Sequence, residues 1–280
     1  MKTKPIFLLG TGRCGSTLVQ RILNSSPEVL ILGEHNGFLI SLAEAYFSLT
    51  STPNVRKWIF DPGFDTNEMI AAARDPKFFS AWLNSFTIKR VRYNFRRMIA
   101  GVLADEIDLV HVRWGFKEIR YGENDRVLPM LLELYPEASY IFIFRNVMDT
   151  IKSMLTAWRP NLPDRLDDLG ISRKEISKTI MEYANRWANQ NDKLLDFSDK
   201  YPDNSLIVKY EHLSENGNDV VDRIFSFIDI SRPDEVEKVL MSKTGATSHK
   251  YHGNTMALWL MEEQDRIFER VAKVRERLGY

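Results

Sequence analysis

A glycine-rich loop near the start of the chain has the residue types that bind a phosphate. It reads Gly10-Thr-Gly-Arg-Cys-Gly-Ser-Thr-Leu18, follows the apolar run Pro5 to Leu9, and leads into a helical pattern from Ser16 to Asn24. Backbone N–H groups converge in such a turn, and the helix dipole adds positive charge at its N-terminus. The loop therefore predicts an anion site, whose contacts we expect from Arg13, Cys14, Gly15, Ser16, Thr17 and Leu18.

This loop differs from the P-loop of ATP-binding enzymes in one residue. Gly10 and Gly15 keep the P-loop spacing, but Ser16 stands where a P-loop has lysine. In kinases and ATPases that lysine contacts the β and γ phosphates, so its absence weakens an ATP interpretation. Arg13 supplies the positive charge instead. Alternatively, the loop is only a turn that starts a helix, with Ser16 as the cap.

A second group of polar residues follows the apolar run Ser139 to Phe144. Arg145 comes directly after this run, and Ser153 lies eight residues later on a predicted helix. Ligands of open α/β sheets bind outside the carboxyl ends of the strands, where both Arg145 and the glycine-rich loop would lie. Arg145 is a forked donor suited to phosphate, and Ser153 adds a hydroxyl. The alternative is that Arg145 pairs with Asp149.

Short apolar runs alternating with helical patterns predict the elements that position these residues. The runs Pro5 to Leu9, Ser139 to Phe144 and Ser205 to Lys209 are typical of parallel strands buried on both faces. Weaker strand candidates are Val29 to Leu32 and Val110 to Phe116. The predicted helices are Ser16 to Asn24, Asn124 to Leu134, Val147 to Trp158, Ser172 to Phe197 and Thr255 to Leu278.

This alternation predicts an α/β fold with a P-loop-like central parallel sheet flanked by helices. Residues 36–106 interrupt the alternation, and we interpret them as a helical insertion within one domain that spans residues 1–280.

Composition excludes several classes of protein. Among 280 residues, 38 basic side chains balance 38 acidic ones, which disfavours general nucleic-acid binding. No apolar stretch approaches the ~20 residues of a membrane span, and no signal peptide is apparent. Cys14 is the single cysteine, so an intramolecular disulfide and a cysteine zinc cluster are excluded. We expect a cytoplasmic protein.

Taken in chain order, these motifs resemble those of the PAPS-dependent sulfotransferase family, in particular the bacterial carbohydrate and tyrosylprotein types (PAPS is 3′-phosphoadenosine 5′-phosphosulfate). Arg13-Cys-Gly-Ser-Thr-Leu18 is similar to the family's 5′-phosphosulfate loop, with Cys14 replacing the usual serine. Arg145 and Ser153 resemble its 3′-phosphate motif. Tyr210-Glu-His-Leu213 resembles its Tyr-Glu-Asp-Leu segment, with His212 in place of aspartate.

The resemblance implies PAPS as the sulfuryl donor, no metal, and Tyr210 as a further nucleotide contact. It implies an acceptor hydroxyl on a small molecule, a carbohydrate, a lipid or a peptide. The segment 36–106 matches no family motif and is the expected acceptor-binding region.

Sulfuryl transfer needs a base for the acceptor's proton and cations for the charge that develops. Glu34 follows the loop helix and a short apolar run, and the resemblance implies that it is the base; its neighbour His35 is the second candidate. The cation candidates are Arg13 and Lys117. Lys250, in the polar loop Thr247 to Asn254, is a candidate to close on the nucleotide, unless that loop is a simple connection.

Two other functions remain open from the sequence. An ATP-dependent P-loop kinase acting on a small molecule would need Mg²⁺. A non-catalytic nucleotide-binding protein would keep the loop without turnover, although Glu34, Arg13 and Lys117 together argue against this.

Overall fold

The computed structural model describes residues 4–51, 66–77, 86–104, 111–158, 173–242 and 253–280. The strands are β1 (Ile6–Gly10), β2 (Val29–Leu32), β3 (Arg113–Glu118), β4 (Ser139–Phe144) and β5 (Ser205–Lys209). The first helices are α1 (Ser16–Leu23), α2 (Leu39–Thr50), α3 (Thr66–Arg74), α4 (Ile88–Ala104), α5 (Val127–Leu134) and α6 (Val147–Trp158). They are followed by α7 (Arg173–Lys200), α8 (Tyr210–Glu215), α9 (Gly217–Phe227), α10 (Val236–Met241), α11 (Gly253–Glu262) and α12 (Gln264–Leu278).

The five strands form one parallel sheet in the order β2-β3-β1-β4-β5. The predicted α/β class with a central parallel sheet is therefore confirmed. Strand β1 lies at the centre, with Leu9 opposite Glu118 on one side and Phe142 on the other. Strand β3 runs two residues beyond the predicted end, so Lys117 and Glu118 belong to the sheet.

Strand β1 is buried on both faces, which explains why its sequence is apolar without alternation. On one face, Ile6 and Leu8 pack with aliphatic residues of α1 and α9. On the other face, Phe7 contacts Phe116 and Tyr140 at ring-centroid distances of 4.8 and 5.4 Å. Packing on both faces of the sheet therefore holds β1, which leads into the glycine-rich loop.

The chain divides into two compact units. The first, residues 1–37, 108–125 and 138–280, contains the sheet. The second, residues 38–107 and 126–137, contains α2 to α5; Tyr46 donates to Glu133 at 2.6 Å within it, and Arg92 pairs with the same carboxylate at 2.9 Å. The described part of the predicted insertion contains the helices α2, α3 and α4. That α5 joins it was not predicted.

The predicted final helix is two helices, α11 and α12. The basic side chains of α12 reach a neighbouring helix: Lys273 pairs with Asp192 of α7 at 2.7 Å, and Arg277 pairs with Asp196 at 2.8 Å. No helix in the described ranges is long and apolar enough to cross a membrane.

Candidate active site

The glycine-rich loop joins β1 to α1 through two residues with positive φ. Arg13 has φ +66° and Gly15, at the N-cap of α1, has φ +95°. A Cβ atom added to Gly15 would lie 2.2 Å from Cδ2 of Tyr210, so this ring packs directly on the glycine. Only glycine suits both the φ angle and the contact, whereas Arg13 holds a conformation that costs energy and recurs at ligand sites.

Several loop side chains point into the protein rather than to the ligand site. The Cys14 thiol is buried, and burial raises its pKa to about 11. Leu18 packs against the aliphatic core. Ser16 is buried, and Thr17 is exposed. Cys14 and Leu18 can therefore contact an anion only through the backbone.

Arg13, Arg145 and Ser153 converge, as the sequence predicted. The Arg13 Nε donates to Ser153 Oγ at 3.1 Å, and Arg145 Nη1 donates to the Arg13 carbonyl at 3.4 Å. The Arg145 guanidinium also lies 4.4 Å from the centre of the Tyr210 ring.

Arg145 has unused hydrogen-bonding capacity for an anion. Its Nε is buried and has no hydrogen-bond partner among the described residues. In the part of the chain that the structure describes, no carboxylate forms an ion pair with Arg145, so the alternative pairing with Asp149 does not occur. A partly buried guanidinium without a carboxylate partner favours an anionic ligand.

Glu34 and Lys117 form an ion pair beside the loop. Lys117 Nζ donates to Glu34 Oε1 at 2.5 Å, and Lys117 is only 8% exposed. Glu34 is therefore the carboxylate that holds this lysine. A proton acceptor and a cation thus lie in direct contact.

Arg120 and Glu118 belong to the same network and were not predicted. Arg120 Nη1 contacts Glu34 Oε2 at 3.0 Å and Glu118 Oε1 at 2.5 Å. Glu118 is 0% exposed and accepts the N–H groups of Gly37 and Ile119 at 2.9 and 2.8 Å. Burial alone would raise the pKa of Glu118, but these donors and Arg120 outweigh it, so its pKa is lowered. The sequence signal for Glu118 is its position as a charged residue at the end of a buried strand.

His35 turns away from Glu34 into an aromatic cluster. Its Nε2 is hydrogen-bonded to the Tyr121 hydroxyl, and its ring meets Phe116 edge-on at 4.7 Å. Burial lowers the pKa of His35. This placement favours a structural role for the second base candidate. Lys250, the remaining predicted contact, lies outside the described residues.

The chain matches solved structures at low identity. The sulfotransferase domain of the Synechococcus PCC 7002 olefin synthase is 17% identical with a TM-score of 0.58, and the match covers 99% of this chain and 94% of that one. The sulfotransferase domain of the curacin biosynthetic pathway is 15% identical, with a TM-score of 0.59 and coverages of 99% and 98%. Mouse sulfotransferase SULT7A1, solved in complex with PAP, is 14% identical, with a TM-score of 0.51 and coverages of 97% and 84%. These likenesses show the fold.

The match to a family model identifies the family. No curated protein matches the chain. The model of the sulfotransferase family, however, matches residues 5–234, a span that includes the glycine-rich loop, Glu34, Lys117, Arg145 and Tyr210. The chain therefore belongs to the sulfotransferase family.

Proposed function

We propose that the protein transfers the sulfuryl group of PAPS to a hydroxyl acceptor. The observation that carries this proposal is the contact of Arg13 with Ser153 and of Arg145 with the Arg13 backbone. These contacts bring two sequence motifs together at one end of the sheet, although Ser153 is 140 residues and Arg145 is 132 residues from Arg13 along the chain. PAPS carries a 3′-phosphate and a 5′-phosphosulfate on one ribose, which suits two neighbouring cationic subsites at one edge of the sheet.

The donor fits the residues that are present. The backbone N–H groups from Cys14 to Leu18 and the start of α1 would bind the 5′-phosphosulfate. Arg145 and Ser153 would bind the 3′-phosphate, with the Tyr210 ring supporting the guanidinium. The absent P-loop lysine argues against binding of an ATP γ-phosphate.

The neighbouring side chains suit the chemistry of the transfer. The donor supplies the sulfuryl group; the acceptor oxygen bonds to sulfur while the bond from sulfur to the phosphate oxygen breaks. Glu34 takes the acceptor's proton as general base. Lys117 and Arg13 stabilise the charge on the sulfuryl oxygens and on the leaving phosphate. Residues 36–106 select the acceptor. The acceptor is a hydroxyl group on a small molecule, a carbohydrate, a lipid or a peptide.

Nucleotide binding tests the proposal before any acceptor is known. We expect 3′-phosphoadenosine 5′-phosphate (PAP) to raise the unfolding temperature without metal, and ATP with Mg²⁺ to raise it much less. Stabilisation by ATP with Mg²⁺ alone would instead indicate a kinase. Labelled PAPS with a panel of acceptor classes then tests turnover, which EDTA should leave unchanged because no step requires a metal.

A further inference from the structure

The turn that carries Arg145 is anchored by a carboxylate from another part of the sheet edge. The N–H of Asn146, the next residue, donates to Glu211 Oε1 at 2.8 Å. Asn146 Oδ1 in turn accepts the N–H of Met148 at 2.9 Å, at the start of α6. Glu211 therefore fixes the backbone between Arg145 and the helix that bears Ser153.

The second oxygen of the same carboxylate is held by Tyr280. Its hydroxyl donates to Glu211 Oε2 at 2.8 Å. Helix α12 ends in a left-handed glycine, Gly279 at φ +64°, and Tyr280 N–H donates to the Arg275 carbonyl at 3.0 Å. This helix end is a Schellman motif, which reverses the chain direction. It turns the Tyr280 side chain back towards α8.

The environment of Tyr280 keeps its hydroxyl a donor. Burial and then the hydrogen bond to Glu211 raise the pKa of Tyr280, and the charge of Arg145 partly opposes the rise. The phenol therefore stays protonated at neutral pH, and Glu211 receives a donor at each of its two oxygens.

Glu211 lies between two residues of the nucleotide site. It follows Tyr210, whose ring supports Arg145, and it bonds the residue after Arg145. The orientation of this carboxylate therefore acts on the backbone on both sides of the Arg145–Tyr210 contact. The Tyr280 hydroxyl fixes that orientation through the second oxygen.

We propose that Tyr280 and Glu211 are positioning residues that hold Arg145 in place and free to bind the 3′-phosphate. This inference rests on the proposed function, because it concerns the same nucleotide site. On this inference, the preference for the 3′-phosphate depends on Arg145 itself and on the hydrogen bonds that run from Tyr280 through Glu211 to Asn146.

The inference is tested by calorimetric titration of the Tyr280→Phe variant with two ligands. One is PAP, and the other is adenosine 5′-phosphate, which lacks the 3′-phosphate. We expect Kd for PAP to rise about fivefold, as the loss of one such hydrogen bond predicts, and Kd for adenosine 5′-phosphate to stay within about twofold. Lys273→Met on the exposed side of α12 is the matched control and should change neither value. Equal weakening of both ligands would show a merely structural effect and overturn the inference.

A double-mutant cycle adds a readout that general destabilisation does not move. Arg145→Ala should abolish the preference for PAP, and adding Tyr280→Phe to it should weaken PAP no further. Additive losses would overturn the inference. If the wild-type protein itself does not prefer PAP to adenosine 5′-phosphate, the proposed function fails; if it does and Tyr280→Phe keeps the full preference, only the positioning role fails.

Discussion

Glu34 accepts hydrogen bonds from two cations, one at each carboxylate oxygen. Lys117 contacts one oxygen and Arg120 the other, so each cation restrains the carboxylate independently. Arg120 is itself fixed by the buried Glu118, so the carboxylate keeps its orientation when one partner leaves.

We expect Glu34→Gln to lower kcat by roughly 10²–10⁴-fold, the usual contribution of a positioned base. The amide is nearly isosteric but cannot take up the proton. Kd for PAP should remain close to the wild-type value, because Glu34 does not belong to the nucleotide subsite. Steady-state kinetics and calorimetric titration measure the two quantities separately.

His35→Asn is the matched control for this variant. The His35 ring contacts Tyr121 and Phe116, so its loss should reduce stability while most of the turnover per folded molecule remains. An active Glu34→Gln enzyme together with an inactive His35→Asn enzyme would contradict the base assignment and leave the donor assignment intact.

Sequence reasoning identified the residues that belong to a local motif. Arg13 lies between a predicted strand and a predicted helix, Arg145 directly follows a strand, and Ser153 lies on the next helix; the structure brings them together. Arg120 and Glu118 were missed because their role depends on partners about 80 residues away, in the turn from Glu34 to Gly37. Tyr280 was missed for the same reason.

Among the elements, the start of α1 depends most on one residue. Gly15 has a left-handed backbone and lies against the Tyr210 ring, which in turn supports Arg145. A side chain at this position would strain the loop and move the ring, so it would affect both phosphate subsites together.

Gly15→Ala should therefore reduce stability by about 1–2 kcal/mol from backbone strain alone. It should also weaken PAP binding, because the Cβ atom requires Tyr210 to move. Chemical denaturation and calorimetric titration give the two effects. Gly101→Ala in α4 is the control: apart from the helix's own backbone and the adjacent residues, no described atom lies within 4 Å of the added Cβ, so helix propensity should leave stability unchanged or raise it by up to about 1 kcal/mol. Wild-type affinity and stability in Gly15→Ala would contradict this account of the loop.

The strands were predictable where their residues are apolar without interruption, as in β1 and β4. The end of β3 was not, since Lys117 and Glu118 look like loop residues and are buried only because of their charged partners. The division of the last helix into α11 and α12 was also missed. Its mixed charges concealed the apolar face of α12, which buries Ile267, Val271, Val274 and Leu278.

At the scale of the whole molecule, the half-buried His35 and the fully buried Glu118 link folding to pH. The pKa of His35 is lowered from its ordinary value of 6.5, so the unfolded chain binds its proton more readily than the folded one. The pKa of Glu118 is lowered from 4.5 in the same sense. Both groups therefore make stability rise with pH: the His35 contribution is complete above pH 6.5, and the Glu118 contribution is complete above pH 4.5.

We expect the free energy of unfolding from urea denaturation to fall as the pH is lowered from 7.5 to 5.5. Among the described residues, His35 is a group whose pKa is lowered from a value within this range, so His35→Asn should flatten the slope. Glu118→Gln should leave the slope between pH 7.5 and 5.5 unchanged and reduce the further loss below pH 4.5. An unchanged slope in His35→Asn would mean that another group causes the dependence.

The pairing of charges beside the glycine-rich loop also affects how an anionic ligand arrives. Lys117 and Arg120 share their charge with Glu34 and Glu118, so this group of four side chains is formally neutral. At distances beyond the Debye length of about 8–10 Å its field largely cancels, and salt screens what remains. Electrostatic steering of a nucleotide towards this edge of the sheet then comes mainly from Arg13 and Arg145, which form no ion pair within the described ranges.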